Sequence, residues 1–225
     1  MKNSLQKIMN GLIDYAGLFP PAKLPLEQAI KEYISHFSDQ KKWMLGRFII
    51  PISQLNDLEK FIPKFDNIGT LKLSVLGAQS SSNKEFLEQT KKEIHIINEY
   101  RKKHEEKVSI EVIETKLPSQ SPSKDVMAKI VKLLNSNNLE HYHEFPELPY
   151  VGINYATNED EGDWDDKITP TIEMVSKLHN AGIKLRCGGI VKEAFPSVEQ
   201  VAAMIQNCSI YQVPLKFTAG LHHPI

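Results

Sequence analysis

Short apolar runs alternate with longer amphipathic stretches along the whole chain. The short runs are Leu12 to Leu18, Leu45 to Pro51, Thr70 to Gly77, Val108 to Thr115, Leu139 to Phe145, Ile183 to Cys187 and Val213 to Ala219. Their length and composition predict strands. Between them, helical spacing of apolar positions runs over Pro25 to Phe37, Ser53 to Ile62, Asn83 to Lys103, Ser123 to Asn135, Pro170 to Ala181 and Ser197 to Tyr211. Strands separated by helices predict a parallel sheet with helices outside it, because parallel neighbours need a crossover.

Local signals mark some of the helix ends. Ser197 with Gln200 three residues on reads as a capping box. Asn180-Ala181-Gly182 before a strand reads as a helix stop with glycine just past the end. Lys84, Glu88, Lys92, Glu99 and Lys103 read as a solvated helix face without functional weight.

Seven strands and six helices approach an eight-stranded (β/α) barrel, a fold of roughly 250 residues with smaller examples near 200. The expected fold class is therefore α/β and (β/α) barrel-like, with about seven parallel strands and outer helices in one domain over residues 1–225. Tyr150 to Ala156 could supply an eighth strand, but no crossover helix separates it from Phe145. The chain stops five residues after Gly220, before a helix could return. An open or incomplete barrel is expected, or one closed by a partner chain. The acidic stretch Asn158 to Asp166 reads as a polar loop.

Composition narrows the function. The chain has 225 residues, 41% of them hydrophobic and 24% charged, with a net charge of -1. No basic excess is present to recruit nucleic acid or an anionic membrane. Cys187 and Cys208 are the two cysteines and make no disulfide framework. No apolar run has signal-peptide or membrane-span length. A cytoplasmic setting is expected, without a cofactor.

Two segments put cations where a β/α protein wants apolar packing: Ile183-Lys184-Leu185-Arg186-Cys187-Gly188-Gly189 and Pro214-Leu215-Lys216-Phe217-Thr218-Ala219-Gly220. Strand side chains alternate faces, so Lys184 and Arg186 share one side, as do Lys216 and Thr218. Charge inside a sheet costs several kcal/mol unless paired, which marks these positions as a candidate site. A lysine crowded by another cation loses its proton more readily and can attack a carbonyl to form a Schiff base. The structural alternative pairs both lysines with Glu114 and Glu144 as ion pairs. Gly188-Gly189 with Arg186 could bind an anion through backbone N–H groups, or simply form a tight turn.

Ligands of such folds bind at the carboxyl ends of the strands. Further candidates there are Asp14, Arg47, Glu144, Thr218 and His222. Glu144 and Asp14 would move protons, whereas Arg47, Arg186, Gly188, Gly189, Thr218 and His222 would contact the anion or substrate. Asp14 could instead pair with Arg47 or Lys216. His143, His222 and His223 offer a metal alternative, although adjacent histidines in an extended segment point apart.

Asp14-Tyr15-Ala16-Gly17-Leu18-Phe19-Pro20-Pro21-Ala22, together with Lys216-Phe217-Thr218-Ala219-Gly220-Leu221-His222-His223-Pro224, resembles a family of uncharacterised bacterial proteins that share these signatures. That resemblance implies no activity. Its members continue past the His-His-Pro segment, which implies that a final strand and helix of the barrel are missing here. Lys184-Leu185-Arg186-Cys187-Gly188-Gly189, Ser197-Val198-Glu199-Gln200-Val201 and Lys216-Phe217-Thr218-Ala219-Gly220 are similar to the last two barrel strands of class I aldolases of the deoxyribose-phosphate type. The similarity covers about forty residues and departs at Leu185 and Arg186, where that family has small residues. It implies Lys184 as the Schiff-base lysine and Lys216 as its activating neighbour.

The leading expectation is an enzyme acting on a small anionic carbonyl or phosphorylated metabolite by aldolase- or lyase-like chemistry. A metal-assisted hydrolase using His222 or His223 with Glu144 and His143 is one alternative. A non-catalytic small-anion-binding protein with a degenerate barrel site is the other. A homodimer would cover the open sheet edge at Val213 to Ala219.

Overall fold

The computed structural model of this chain describes residues 2–78, 80, 82–116, 125, 128–129, 132–133, 143–147, 164–177, 181–188 and 195–219. The fold is mixed α/β, with helices and a sheet whose described pairings are parallel. Two compact units form: Met1–Gly77 with Glu93–Ile113, and Ala78–Lys92 with Glu114–Ile225. No helix among the described residues is long and apolar enough to cross a membrane.

In the first unit, helix α1 (Lys2–Met9) precedes strand β1 (Ile13–Tyr15), helix α2 (Leu26–His36) and strand β2 (Leu45–Pro51). Helix α3 (Leu55–Leu58), strand β3 (Leu71–Leu76), the later part of helix α4 (Asn83–His104) and most of strand β4 (Val108–Lys116) follow. β1 runs parallel to β2, and β2 to β3 with Phe48 beside Leu73 and Ile50 beside Val75. Phe48, Ile50, Leu71, Leu73 and Val75 are buried, as are Ala29, Ile30 and Tyr33 of α2. Tyr33 sets its edge against Phe48, with ring centroids 5.3 Å apart. The α1 helix has no counterpart among the elements expected from the sequence.

Two expected elements of this unit change shape. β1 ends at Tyr15 rather than Leu18, because the chain turns at once: Phe19 N–H donates to the Ala16 carbonyl and Leu24 N–H to that of Gly17. Gly17 leaves room there for the Tyr15 ring, which a Cβ would press against. The helix expected over Ser53 to Ile62 is an α-turn at Leu55–Leu58 between 3₁₀ segments Ile52–Gln54 and Glu59–Phe65. Pro63 has no N–H to give, and in an α-helix its ring would strike the Glu59 carbonyl, so the tighter winding prevails. Leu55 and Leu58 of the α-turn and Phe61, Ile62 and Phe65 of the following 3₁₀ segment are buried.

In the second unit, strand β5 (His143–Glu147), helix α5 (Trp164–Ser176), strand β6 (Ile183–Arg186), helix α6 (Val198–Ile210) and strand β7 (Leu215–Thr218) follow the end of β4. β6 pairs in parallel with β5, Glu147 lying beside Lys184, and with β7. Ile168, Ile172, Val175, Ile183, Leu185, Met204, Cys208 and Val213 are buried. The Thr169 hydroxyl donates to Asn207 Oδ1 at 3.1 Å and ties α5 to α6.

The Ser197 capping box forms as expected: its hydroxyl accepts from Gln200 N–H at 3.3 Å, and Gln200 Oε1 accepts from Ser197 N–H at 2.8 Å. The helix expected over Pro170 to Ala181 instead runs from Trp164 to Ser176, so Trp164 to Asp166 are helical rather than loop. Proline favours the first turn of a helix, yet Pro170 lies inside this one, with Ile168, Ile172 and Val175 buried at helical spacing on both sides of it. The helix also ends before the Ala181-Gly182 stop. β5 runs past Phe145, which the apolar run set as its end, through Pro146 to Glu147. Of Ser123 to Asn135, positions 125, 128–129 and 132–133 are helical. The rest of that segment, residues 139–142 and the Tyr150 to Ala156 candidate lie outside the described residues.

Candidate functional site

The register of β6 with β7 fixes the geometry of the lysine pair. Lys184 lies directly beside Lys216, Leu185 beside Phe217 and Arg186 beside Thr218. Neighbouring strands are about 4.8 Å apart, so the two lysines leave the sheet side by side on one face. Like charges at that spacing repel. Glu114, from the end of β4, lies between them: Lys184 Nζ donates to Oε2 at 2.9 Å and Lys216 Nζ to Oε1 at 2.6 Å. The side chains of Lys184, Lys216 and Glu114 are 7%, 15% and 1% exposed. Ile183 and Leu185 are buried on the opposite side of β6, so the strand is covered on both faces, as parallel strands usually are.

Glu114 thus holds both lysines and is one of the two carboxylates that the ion-pair alternative names. Glu144 lies in β5, but its side chain, like that of His143, is outside the described residues.

Beyond the lysines, Arg186 Nε donates to the Gly188 carbonyl at 2.7 Å, which folds the guanidinium back over its own strand end. Cys187 N–H donates to the Thr218 carbonyl at 2.7 Å and continues the β6–β7 ladder. Burial pushes the Cys187 thiol above its usual range, which disfavours the thiolate and a nucleophilic role. Gly189, His222 and His223 lie outside the described residues. Among the described residues, no group of three or more His, Cys, Asp or Glu side chains is placed to hold a metal ion.

Asp14 and Arg47 belong to the first unit, and there they pair with each other. Asp14 Oδ1 accepts the Arg47 backbone N–H at 2.7 Å and lies 3.7 Å from Nη1. Arg47 Nε donates to Glu111 Oε2 at 3.0 Å, and Lys72 Nζ is 3.2 Å from Glu111 Oε1. Gly46 makes room for this carboxylate, because a Cβ there would lie 2.4 Å from Asp14 Oδ1 and 2.8 Å from the Gly11 carbonyl. The buried Tyr33 hydroxyl donates to the Gly46 carbonyl at 2.8 Å. Burial, and then the charges of Asp14 and Glu111, push its ionisation upward. Glu111 was missed in the sequence, although the criterion that singled out Lys184, a charge inside a strand pattern, applies to it equally.

The first unit also holds an open cavity of about 380 Å³ bordered by Leu18, Leu24, Leu26, Gln54, Asp57 and Lys60. No protein-family model matches this chain, and no curated protein matches it.

Proposed function

We propose that the second unit carries a lysine-centred site for a small anionic carbonyl or phosphorylated metabolite, on a (β/α) barrel-like scaffold, with chemistry of the aldolase or lyase class. The observation that carries this reading is the Lys184–Glu114–Lys216 bridge: two register-paired amines held by one buried carboxylate. A Schiff base needs an amine and a group that takes and returns protons at the same carbon. Glu114 is within proton-transfer distance of both amines. While one lysine loses its proton and attacks, the other stays charged and draws the substrate anion. The similarity of residues 184–189 and 216–220 to deoxyribose-phosphate-type aldolases supports the same reading. In this scheme Glu114 takes the proton-moving role expected of Glu144 or Asp14, and Arg186 and Thr218 at the strand ends face the anionic group.

The same bridge favours one rival. Because each lysine already holds a Glu114 oxygen, the trio could be a static ion-pair network in a non-catalytic anion-binding protein. Treatment with borohydride and a panel of small carbonyl acids, read by intact mass, separates the two. A reduced adduct of one carbonyl per chain supports the enzyme. An unchanged mass across the panel, in protein that still binds phosphate or carboxylate by calorimetry, supports the binding protein. A cytoplasmic setting and a homodimer complete the proposal.

A further inference from the structure

Within the Schiff-base reading, and resting on it, we infer that Lys216 is the amine that bonds to the carbonyl and that Lys184 is a positioning residue. This reverses the roles implied by the aldolase resemblance. Two observations favour it. Lys184 is flanked on both sides by strands, Glu147 of β5 lying beside it in register and Lys216 of β7 on the other side. The Lys216 side chain is also the more open of the two, 15% against 7% exposed, and β7 is half-exposed along its length where β6 is buried up to Arg186. A carbonyl carbon must come within bonding distance of Nζ, and of the two amines that of Lys216 is the less buried. Lys184 holds Glu114 Oε2 from below, leaving Oε1 directed at Lys216.

The steps balance. Lys216 passes one proton from its ammonium group to Glu114. Its nitrogen lone pair then forms a C–N bond to the carbonyl carbon, and the amine's second proton moves to the oxygen, giving a carbinolamine. Glu114 returns its proton to the hydroxyl, which leaves as water, and a protonated imine remains. Borohydride, supplied as reductant, delivers hydride to the imine carbon and fixes a secondary amine.

The test is a peptide map of the full-length protein after borohydride treatment with pyruvate, glyoxylate or glyceraldehyde 3-phosphate, with labelling at exposed Lys31 as the background. The expected result is an adduct on the Lys216 peptide well above that background. K216R should lose it, and K184R should keep it at the same position with slower formation. An adduct on Lys184, or equal labelling of both lysines, overturns the assignment while leaving the Schiff-base reading intact. No adduct above background on either lysine overturns both. The wild-type map decides the matter even if a variant fails to fold.

Discussion

Removing the charge of Glu114 tests how much the lysine bridge contributes to the fold. Glu114→Gln keeps the shape of the side chain but takes away the carboxylate that Lys184 and Lys216 both bind. Breaking a buried ion pair from one side costs about 3–5 kcal/mol, and that loss is expected in urea unfolding. Stability within about 0.5 kcal/mol of wild type would mean that the bridge is not holding the strands. Gly46→Ala should cost about 1–3 kcal/mol, because the added Cβ meets the Gly11 carbonyl as well as Asp14, and Asp14 is itself tied to the Arg47 N–H. Cys208 gives a pH signature. Burial pushes its thiol from an ordinary 9.0 to about 11, so the folded protein holds this proton more tightly than the unfolded chain does. The stability this contributes is complete below about pH 9 and is lost as pH rises through about 11. Urea titrations should therefore show stability falling in that window, with a shallower fall in Cys208→Ala. An unchanged slope would count against the buried-thiol account.

Elements show where local sequence suffices. The cap of α6 was legible because Ser197 and Gln200 satisfy each other's backbone N–H groups without help from the rest of the fold. Ser197→Ala should cost about 1 kcal/mol and Ser197→Asp much less, measured by thermal or urea unfolding. If the two substitutions cost the same, the box is not contributing. β2 was legible to the residue, because Phe48 to Ile50 form a run buried on both faces. Proline was the commonest source of error. Pro63 winds a helix into 3₁₀, Pro170 sits inside one, and Pro146 sits within β5, whereas a local reading takes each as a boundary. In each case buried neighbours or strand pairing continue through the proline, and that tertiary gain is absent from a local pattern.

For the molecule as a whole, the lysine pair was visible in the sequence because strand alternation alone puts Lys184 and Lys216 on defined faces. That one carboxylate serves both was not, since it depends on Glu114 meeting Lys184 and Lys216 in space across seventy and more residues of chain. The same holds for Glu111, whose partners Arg47 and Lys72 come from other strands. Pairing of this kind bears on the remaining basic charge. Lys31 sits by Glu27, Lys91 by Glu88, Lys107 by Asp66 and Lys177 by Glu173, so part of the described surface cation charge has an acidic neighbour within a few ångströms. With 27 basic against 28 acidic side chains, the chain has no net basic excess to attract a polyanion. Affinity for a phosphate backbone comes from releasing condensed counterions, which takes several unneutralised cations lying together. In about 0.15 M salt, duplex DNA and single-stranded RNA should therefore run unshifted with the protein in a gel. A retarded complex that dissolves steeply as salt is raised would reveal a basic track and displace a small-molecule site from the centre of this protein's function.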